Sequence, residues 1–446
     1  MKNAISKAVA LLLIGTWAQA CSGSKTNAPE TEQPVEQTAA IPSEPVQVEV
    51  RQQNGQYTLY RGGEPYYIKG AGGSRYLSQL AAYGGNSIRT WSTDNAQEVL
   101  DEAYRNGLTV TLGLEVGRER HGFDYDDPEA VTQQLTELRK EVLKYKDHPA
   151  LLIWGIGNEL NLSYTNPLVW NAVNDIAAMI HEVDPNHPTS TMLAGINKLE
   201  MEYIKESVPA LDILAVNAYG GLPEVPQRVR EFGWTGPYMI TEWGPTGHWE
   251  SPQTPWGAAV EETSSEKAAV YKSRYEASMG QDKAQCIGSY VFLWGQKQER
   301  TPTWYGLFTE DGKESEVVDM MQYLWTGNWP QNRAPHLASF VLDGKKATDN
   351  IYLQPGKDYK VKADVSDPDK DQLTYRYELL PESTDLKEGG DRENRPQPIP
   401  NRVHDTGSGK ADLNVPAQEG AYRLFIYATD GNDNVATANI PFFVKK

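Results

Sequence analysis

One repeated pattern constrains the fold of this 446-residue chain more than any other feature. From about residue 57 to residue 326, short apolar runs rich in β-formers alternate with longer stretches of helical periodicity. The runs that predict strands are 65–70, 86–91, 108–114, 150–157, 189–194, 211–219, 237–243 and 287–295. Eight strands alternating with helices over roughly 260 residues predict a (β/α)8 TIM barrel, an α/β fold.

A doubly wound open sheet is the alternative that the same alternation allows. That fold places a G-x-G-x-x-G phosphate loop after its first strand. Residues 69–76 read KGAGGSRY, which is rich in glycine but lacks this spacing. The barrel is therefore the predicted fold, and we expect it to span residues 47–330.

The pattern changes in the last quarter of the chain. Residues 338–446 show alternating strands without helical periodicity, separated by turn sequences such as DPDKD and DGND. This pattern predicts a C-terminal immunoglobulin-like β-sandwich. The polar, proline-rich segment 383–402 is predicted to be a long loop. The acidic turn 367–371 loosely resembles a calcium loop, but Gln372 stands where that loop needs glycine, so no metal site is predicted.

The N-terminus has the features of an export signal. Residues 1–20 contain a short apolar run that follows a lysine-containing start and is too short to span a bilayer. Cys21 follows a small residue, as the acylated cysteine of bacterial lipoproteins does, and ordinary cleavage and secretion is the alternative. Residues 21–46 have the composition of a disordered tether. We therefore expect a membrane-anchored lipoprotein, in the periplasm or on the cell surface.

Composition narrows the range of partners. A formal net charge of −18 disfavours nucleic acid and anionic polysaccharide as ligands, whereas neutral ligands remain compatible with it. The chain has 12 Trp and 24 Tyr but only 8 Phe, a balance that suits contact with hydroxyl-rich ligands. Besides Cys21 the chain has a single cysteine, Cys286, which is expected to be an inert core residue. No cofactor is predicted, and a monomer is expected.

Two carboxylates at predicted strand ends indicate a reactive site. Glu159 follows the apolar run LLIWGIGN, and Glu242 follows MIT. Burying an unpaired carboxylate costs several kcal/mol. A buried strand that ends in a carboxylate therefore indicates that the strand positions this side chain for a function. Strands four and seven of a barrel face each other across its mouth, where catalytic residues lie. Cleavage of a glycosidic bond requires such a pair, one carboxyl kept protonated and the other ionised.

The sequences around these residues, GNEL and TEWG, resemble the signatures of clan A glycoside hydrolases. The resemblance implies a retaining enzyme in which Glu159 is the acid/base and Glu242 is the nucleophile. It also implies that Asn158 donates to the sugar 2-hydroxyl. Further residues at or beyond strand ends are expected to support the nucleophile or contact the sugar. They are Arg89, Trp91, His121, Tyr219, Trp243, His248 and Trp294.

Within the clan, a barrel followed by an immunoglobulin-like domain is most similar to glycoside hydrolase family 158. That resemblance implies endo-cleavage of β-1,3-glucans such as laminarin. Families 2, 5 and 72 share both motifs, but family 2 enzymes usually carry β-sandwich domains before the barrel, where this chain has only a tether.

Other functions stay open beside the family 158 assignment. They include clan A activity on a different β-glycan, namely β-1,4- or β-1,6-glucan, mannan or galactan, and β-glucanosyl transfer. A non-hydrolytic, glycan-binding surface lipoprotein is the alternative from another class. Such a protein would be expected to have lost Glu159 or Glu242, and both are present.

Overall fold

The computed structural model describes residues 41–446, which form one compact unit. The predicted signal peptide, the lipidation site Cys21 and most of the predicted tether lie outside the described residues. Within the described part, the helices are too short or too polar to cross a membrane.

A small antiparallel sheet precedes the barrel. It consists of β1 (Val48–Gln53), β2 (Gln56–Arg61) and β3 (Glu64–Tyr66). The N–H of Val48 donates to the carbonyl of Asn186, and the N–H of Tyr57 donates to that of Ala284, both at 2.8 Å. Both carbonyls come shortly before barrel strands. The sheet therefore covers the end of the barrel at which its strands begin.

Eight parallel strands form a closed barrel, which confirms the predicted fold. The strands are β4 (Ile68–Gly72), β5 (Ser87–Arg89), β6 (Thr109–Leu114), β7 (Leu151–Asn158), β8 (Thr189–Ala194), β9 (Ile213–Asn217), β10 (Tyr238–Trp243) and β11 (Cys286–Val291). Pairing of β11 with β4 closes the ring. Cys286 is buried in β11, and burial raises the pKa of its thiol to about 12, so it is an inert core residue as expected.

The helices surround the barrel. They are α1 (Leu77–Ala82), α2 (Ala96–Arg105), α3 (Pro128–Tyr145), α4 (Leu168–Val183), α5 (Lys198–Ser207), α6 (Val225–Glu231), α7 (Ser264–Ala277) and α8 (Glu316–Thr326). The start of α3 follows from its sequence: the Asp127 side chain accepts from the N–H groups of Glu129 and Ala130, and Pro128 fits the first turn. A capping box of Thr263 and Glu266 begins α7.

The C-terminal part is a two-sheet β-structure, as predicted. Its strands are β12 (Glu314–Ser315), β13 (His336–Leu342), β14 (Ile351–Leu353), β15 (Asp358–Ser366), β16 (Thr374–Pro381), β17 (Val403–Gly407), β18 (Lys410–Asn414), β19 (Gly420–Thr429) and β20 (Asn434–Val444). One sheet has the order β12-β20-β19-β16 with β14 beside β20, and the other has the order β13-β15-β18-β17. A separate hydrophobic core lies among these strands.

Barrel and sandwich are joined by buried polar contacts. Glu261, in the segment before α7, accepts from Lys267 Nζ at 2.6 Å and from the amide of Asn439 on β20 at 2.5 Å. Arg423 on β19 donates to the carbonyl of Ala259 at 2.8 Å. All of these side chains are nearly inaccessible to solvent. A buried carboxylate with this many donors fixes the two parts against each other.

Candidate active site

A cavity of about 980 Å³ opens at the ends of the barrel strands. Glu159, directly after β7, and Glu242, on β10, both line this cavity. The structure therefore brings together the two carboxylates that the sequence singled out. Because parallel strands of a barrel end on the same rim, both side chains reach one space.

Glu242 lies in a cage of donors. Its Oε1 accepts from Arg89 Nη1 at 2.7 Å and from the indole of Trp91 at 2.8 Å, and its Oε2 accepts from the Tyr219 hydroxyl at 3.1 Å. Arg89 is 1% exposed and Glu242 is 6% exposed. A guanidinium and two further donors stabilise the ionised carboxylate at this depth. These donors hold both oxygens of Glu242 in fixed positions.

An amide network joins the two carboxylates. Arg89 Nη2 and Asn217 Nδ2 both donate to Asn158 Oδ1, at 2.5 and 3.1 Å. Asn217 Nδ2 also lies 3.0 Å from Glu159 Oε1, and its own oxygen accepts from Thr241 at 2.8 Å. With its oxygen engaged twice, Asn158 has its NH2 group left to donate to a ligand in the cavity. This arrangement fits the predicted contact of Asn158 with a sugar hydroxyl.

Glu159 lies in a contrasting environment. Burial and the nearby charge of Glu242 raise the pKa of Glu159 to about 7. Its backbone has φ of 53°, a conformation that non-glycine residues rarely adopt. Strain of this kind persists only where the surroundings impose it, and here it turns the chain directly after β7. Glu159 can therefore carry a proton near neutral pH beside a carboxylate that is ionised.

Three more predicted contacts lie at the cavity: Trp91, Tyr219 and His248. His248 accepts from Arg300 Nη2 at 2.9 Å, and its Nδ1 lies 2.8 Å from the Tyr305 hydroxyl. Burial, with the charges of Arg300 and Lys297, lowers the pKa of His248 to about 4. His248 is therefore a neutral residue that holds two loops together at the cavity wall.

Two predicted tryptophans point away from the cavity. Trp243 is fully buried against Tyr271 and Tyr275, because side chains alternate along a strand and Glu242 occupies the inward position. Trp294 is also buried, packs on Phe308, and donates its indole N–H to the carbonyl of Tyr76 at 3.2 Å. The strand ends earlier than the sequence pattern predicted. As a result Phe292, and not Trp294, lines the cavity.

His121 does not line the cavity either. Its Nε2 lies 3.1 Å from Asp391, a residue of the loop that was predicted at 383–402. No local pattern predicts this contact, because the two residues are 270 positions apart. Other lining residues were not predicted as site residues, among them Arg118, Phe292 and Tyr305. Asn217 and Trp249 lie at or beyond strand ends, where the position alone was a signal.

The acidic turn of the sandwich brings oxygens of Asp367, Asp371 and Asp430 within 4.8 Å of one another. Hydrogen bonds within the protein account for much of this cluster. Asp367 accepts from the N–H groups of Asp369 and Asp371, and Asp371 accepts from the amides of Asn332 and Asn432. We assign no metal to it.

Two buried carboxylates in contrasting environments thus face one cavity at the barrel mouth, the arrangement that cleavage of a glycosidic bond requires. Residues 84–221 match the sequence model of glycosyl hydrolases family 2, TIM barrel domain. This stretch includes Glu159 and Arg89 but ends before Glu242. No curated protein matches the chain by sequence.

Solved structures share the fold. β-Glucuronidase 2 of Bacteroides uniformis, covalently bound to cyclophellitol-6-carboxylate aziridine, aligns with a TM-score of 0.51 and 16% identity, over 89% of this chain and 48% of its own. The β-glucuronidase of Ruminococcus gnavus aligns with a TM-score of 0.50 and 15% identity, over 63% and 53%. This chain therefore spans about half the length of the structures it matches.

The chain is therefore similar over part of its length to the family 2 barrel domain, and it shares the fold of these β-glucuronidases. The sequence motifs and domain order favoured family 158 over family 2, and the match of residues 84–221 reverses that order. Neither family 158 nor specificity for β-1,3-glucan receives support from the comparisons, and the wider clan A assignment is not addressed by them.

Proposed function

We propose that this protein is a retaining glycoside hydrolase for a neutral, β-linked glycan, with Glu242 as nucleophile and Glu159 as acid/base. The observation that carries the proposal is the contrast between the two carboxylates. Arg89, Trp91 and Tyr219 hold Glu242 as an anion, whereas burial beside Glu242 raises the pKa of Glu159 to about 7. Retaining hydrolysis needs one carboxyl in each of these states.

In the first step an oxygen of Glu242 attacks the anomeric carbon, and the bond from that carbon to the glycosidic oxygen breaks. Glu159 transfers its proton to the departing oxygen. The product is a glycosyl ester of Glu242 and a Glu159 carboxylate. Asn158, with its free NH2 group, would donate to the sugar hydroxyl next to the reacting carbon.

In the second step Glu159 takes a proton from water, and the water oxygen attacks the anomeric carbon. The ester bond breaks, which returns Glu242 to the anionic form and Glu159 to the acid form. The charge of Glu242 contributes to the raised pKa of Glu159. Because the ester removes that charge, the pKa of Glu159 falls when it must act as a base.

The charges at the cavity support a neutral substrate. Three of its four cationic side chains are paired with carboxylates: Arg228 with Glu224, Lys297 with Glu299, and Arg300 with Glu393. Arg118 donates its Nε–H to the carbonyl of Asn158 at 3.2 Å. It has no ion pair within the described residues, so it is the one candidate for an anionic substituent.

A substrate panel tests the proposal. Aryl β-glucosides, β-galactosides and β-glucuronides would be assayed beside β-1,3-, β-1,4-, β-1,6- and mixed-linkage glucans, mannan and galactan. We expect hydrolysis of a neutral member, with the β-anomer formed first when followed by proton NMR. First appearance of the α-anomer would contradict retention. Binding of a glycan without release of reducing ends would favour the non-hydrolytic alternative, and lengthened products would favour glycosyl transfer. Laminarin is included because the sequence resemblance alone supports it.

We also propose export and lipid anchoring at Cys21, supported only by the N-terminal sequence. In bacteria fed labelled palmitate, the full-length chain should be labelled, and Cys21→Ser should not. Label in both, or in neither, would contradict anchoring at this residue.

A further inference from the structure

The sandwich contributes to the wall of the cavity. Residues 385–393 belong to its long loop between β16 and β17, and we name this segment the strap. Glu388, Gly389, Gly390 and Asp391 of the strap line the same cavity as the two carboxylates. A segment more than 140 residues after Glu242 in sequence is thus part of the site.

The strap is held on one side by the loops after β6 and β7. Asp391 accepts from Arg120 Nη1 at 2.9 Å and lies 3.1 Å from His121 Nε2. Gly389 packs so closely that a Cβ there would lie 2.8 Å from both Arg120 Nη2 and Leu162 Cδ2. Its φ of 58° also favours glycine. Any larger residue would have to push the strap or these neighbours aside.

The strap is also held by the loop after β11. The Glu393 side chain is fully buried and accepts from the Arg300 N–H at 2.6 Å and from Arg300 Nη1 at 3.0 Å. Lys297 Nζ donates to the carbonyl of Gly390 at 2.5 Å. These charge-assisted bonds join two parts of the chain about 93 residues apart.

The contacts with the loops after β6 and β7 and with the loop after β11 determine which part of the barrel mouth the strap covers. In the ring of strands, β4 and β5 lie between β11 and β6. Residues 389–393 contact the loops on both flanks, so the strap bridges the rim on the side of β4 and β5. The remaining perimeter is formed by residues after β7, β8, β9 and β10, including Ile196, Tyr219 and Trp249. The cavity is thus enclosed by the barrel on one side and by the strap on the other.

We propose that the strap is a specificity-determining segment that closes the cavity above β4 and β5, so that the end of a glycan chain enters and an internal segment does not. This inference rests on the proposed function, and it replaces the endo-acting mode expected from the sequence. It also assigns a role to His121 and Asp391, which hold the strap in place, and to the sandwich, which supplies it.

Displacing the strap tests this inference. The variant Gly389→Val introduces a clash with Arg120 and Leu162, and Asp391→Ala removes one anchor with little risk to folding. The matched control is Gly344→Val, which has the same kind of backbone (φ 73°) but open space around it. Each protein would be assayed on the polysaccharide of the panel that is hydrolysed fastest and on the aryl β-glycoside of the same sugar.

We expect the wild type and Gly344→Val to release only the shortest product from the polysaccharide. The strap variants should also release products of intermediate length. Their kcat/KM for polymer relative to aryl glycoside should rise by about tenfold, the scale of discrimination by pocket shape. Random internal cleavage by the wild type, or an unchanged product profile in both strap variants, would overturn the role of the strap. Failure of the wild type to hydrolyse either kind of substrate would instead overturn the proposed function, and the strap inference with it.

Discussion

The floor of the cavity and its rim are built by different means. On the floor, four side chains at the ends of barrel strands are less than 10% exposed and share hydrogen bonds: Arg89, Asn158, Asn217 and Glu242. At the rim, loops and the strap are held by ion pairs between segments distant in sequence. Catalytic residues need a fixed geometry, which strands provide. Residues that select the substrate tolerate small adjustments, so they can lie on loops.

If the floor carries the chemistry, removing the nucleophile should have the largest effect. Glu242→Ala should lower kcat by about 10⁴-fold or more, because no other group forms the glycosyl intermediate. Added azide should restore turnover of an aryl β-glycoside and give the α-glycosyl azide. Glu206→Ala, at an exposed glutamate of α5, serves as the control. Activity of Glu242→Ala within tenfold of the wild type would remove Glu242 from the mechanism.

The second effect in size should come from the acid/base. Glu159→Gln should lower kcat by about 10²- to 10⁴-fold on glycans, whose leaving group needs a proton. Aryl glycosides with acidic phenols should be affected much less, because they leave unprotonated. An equal loss on both substrate types would contradict the role of Glu159 as proton donor.

The same residue sets the pH dependence of the wild type. Because Glu159 must be protonated in the first step and its pKa is about 7, kcat/KM should fall as the pH rises through about 7. In Glu159→Gln this alkaline limb should disappear. A limb that persists unchanged in the variant would assign it to another group.

Asn217 tests whether the floor acts as a unit. Its amide donates to Glu159, and this hydrogen bond lowers the pKa of that carboxyl. Asn217→Ala should reduce kcat by roughly tenfold to a hundredfold and move the alkaline limb of the pH profile upward. A purely structural residue would lower activity without that shift.

The smallest effect should come from the rim. Trp249 is 58% exposed, lines the cavity and packs edge-on against Tyr219 at 5.4 Å. Trp249→Ala should raise KM for oligosaccharides by about tenfold with kcat nearly unchanged, because stacking on a sugar adds uniform binding. Trp329→Ala, at an exposed tryptophan outside the cavity, is the matched control. A large fall in kcat would instead indicate that Trp249 takes part in the chemical step, as the floor residues do.

The contrast between floor and rim also explains what could be predicted from sequence. The barrel, the sandwich, Glu159, Glu242, Arg89 and Asn158 follow from local patterns, because apolar strands and their polar ends lie within a few residues of each other. The strap could not be predicted from local patterns. Arg120 is 271 residues from its partner in the strap, and Arg300 is 93 residues from its own.

Errors in strand-end position came from a different cause. The pattern 287–295 predicted one continuous strand, but the regular strand ends at Val291, which shifts the inward position to Phe292 and leaves Trp294 in the core. Trp243 follows Glu242 on β10, and because side chains alternate along a strand, it points away from the cavity. An error of one residue in register exchanges cavity and core.

The buried carboxylate Glu261 limits how this chain could be recombined. It is bound at once by a barrel helix, by Thr301 in the loop after β11, and by Asn439 in the sandwich. Removing the sandwich would take away the Asn439 amide that donates to Glu261 and would uncover a carboxylate that is buried at the boundary. The C-terminal part is therefore a structural partner of the barrel. Fusions and domain swaps should keep residues 47–446 together as one unit.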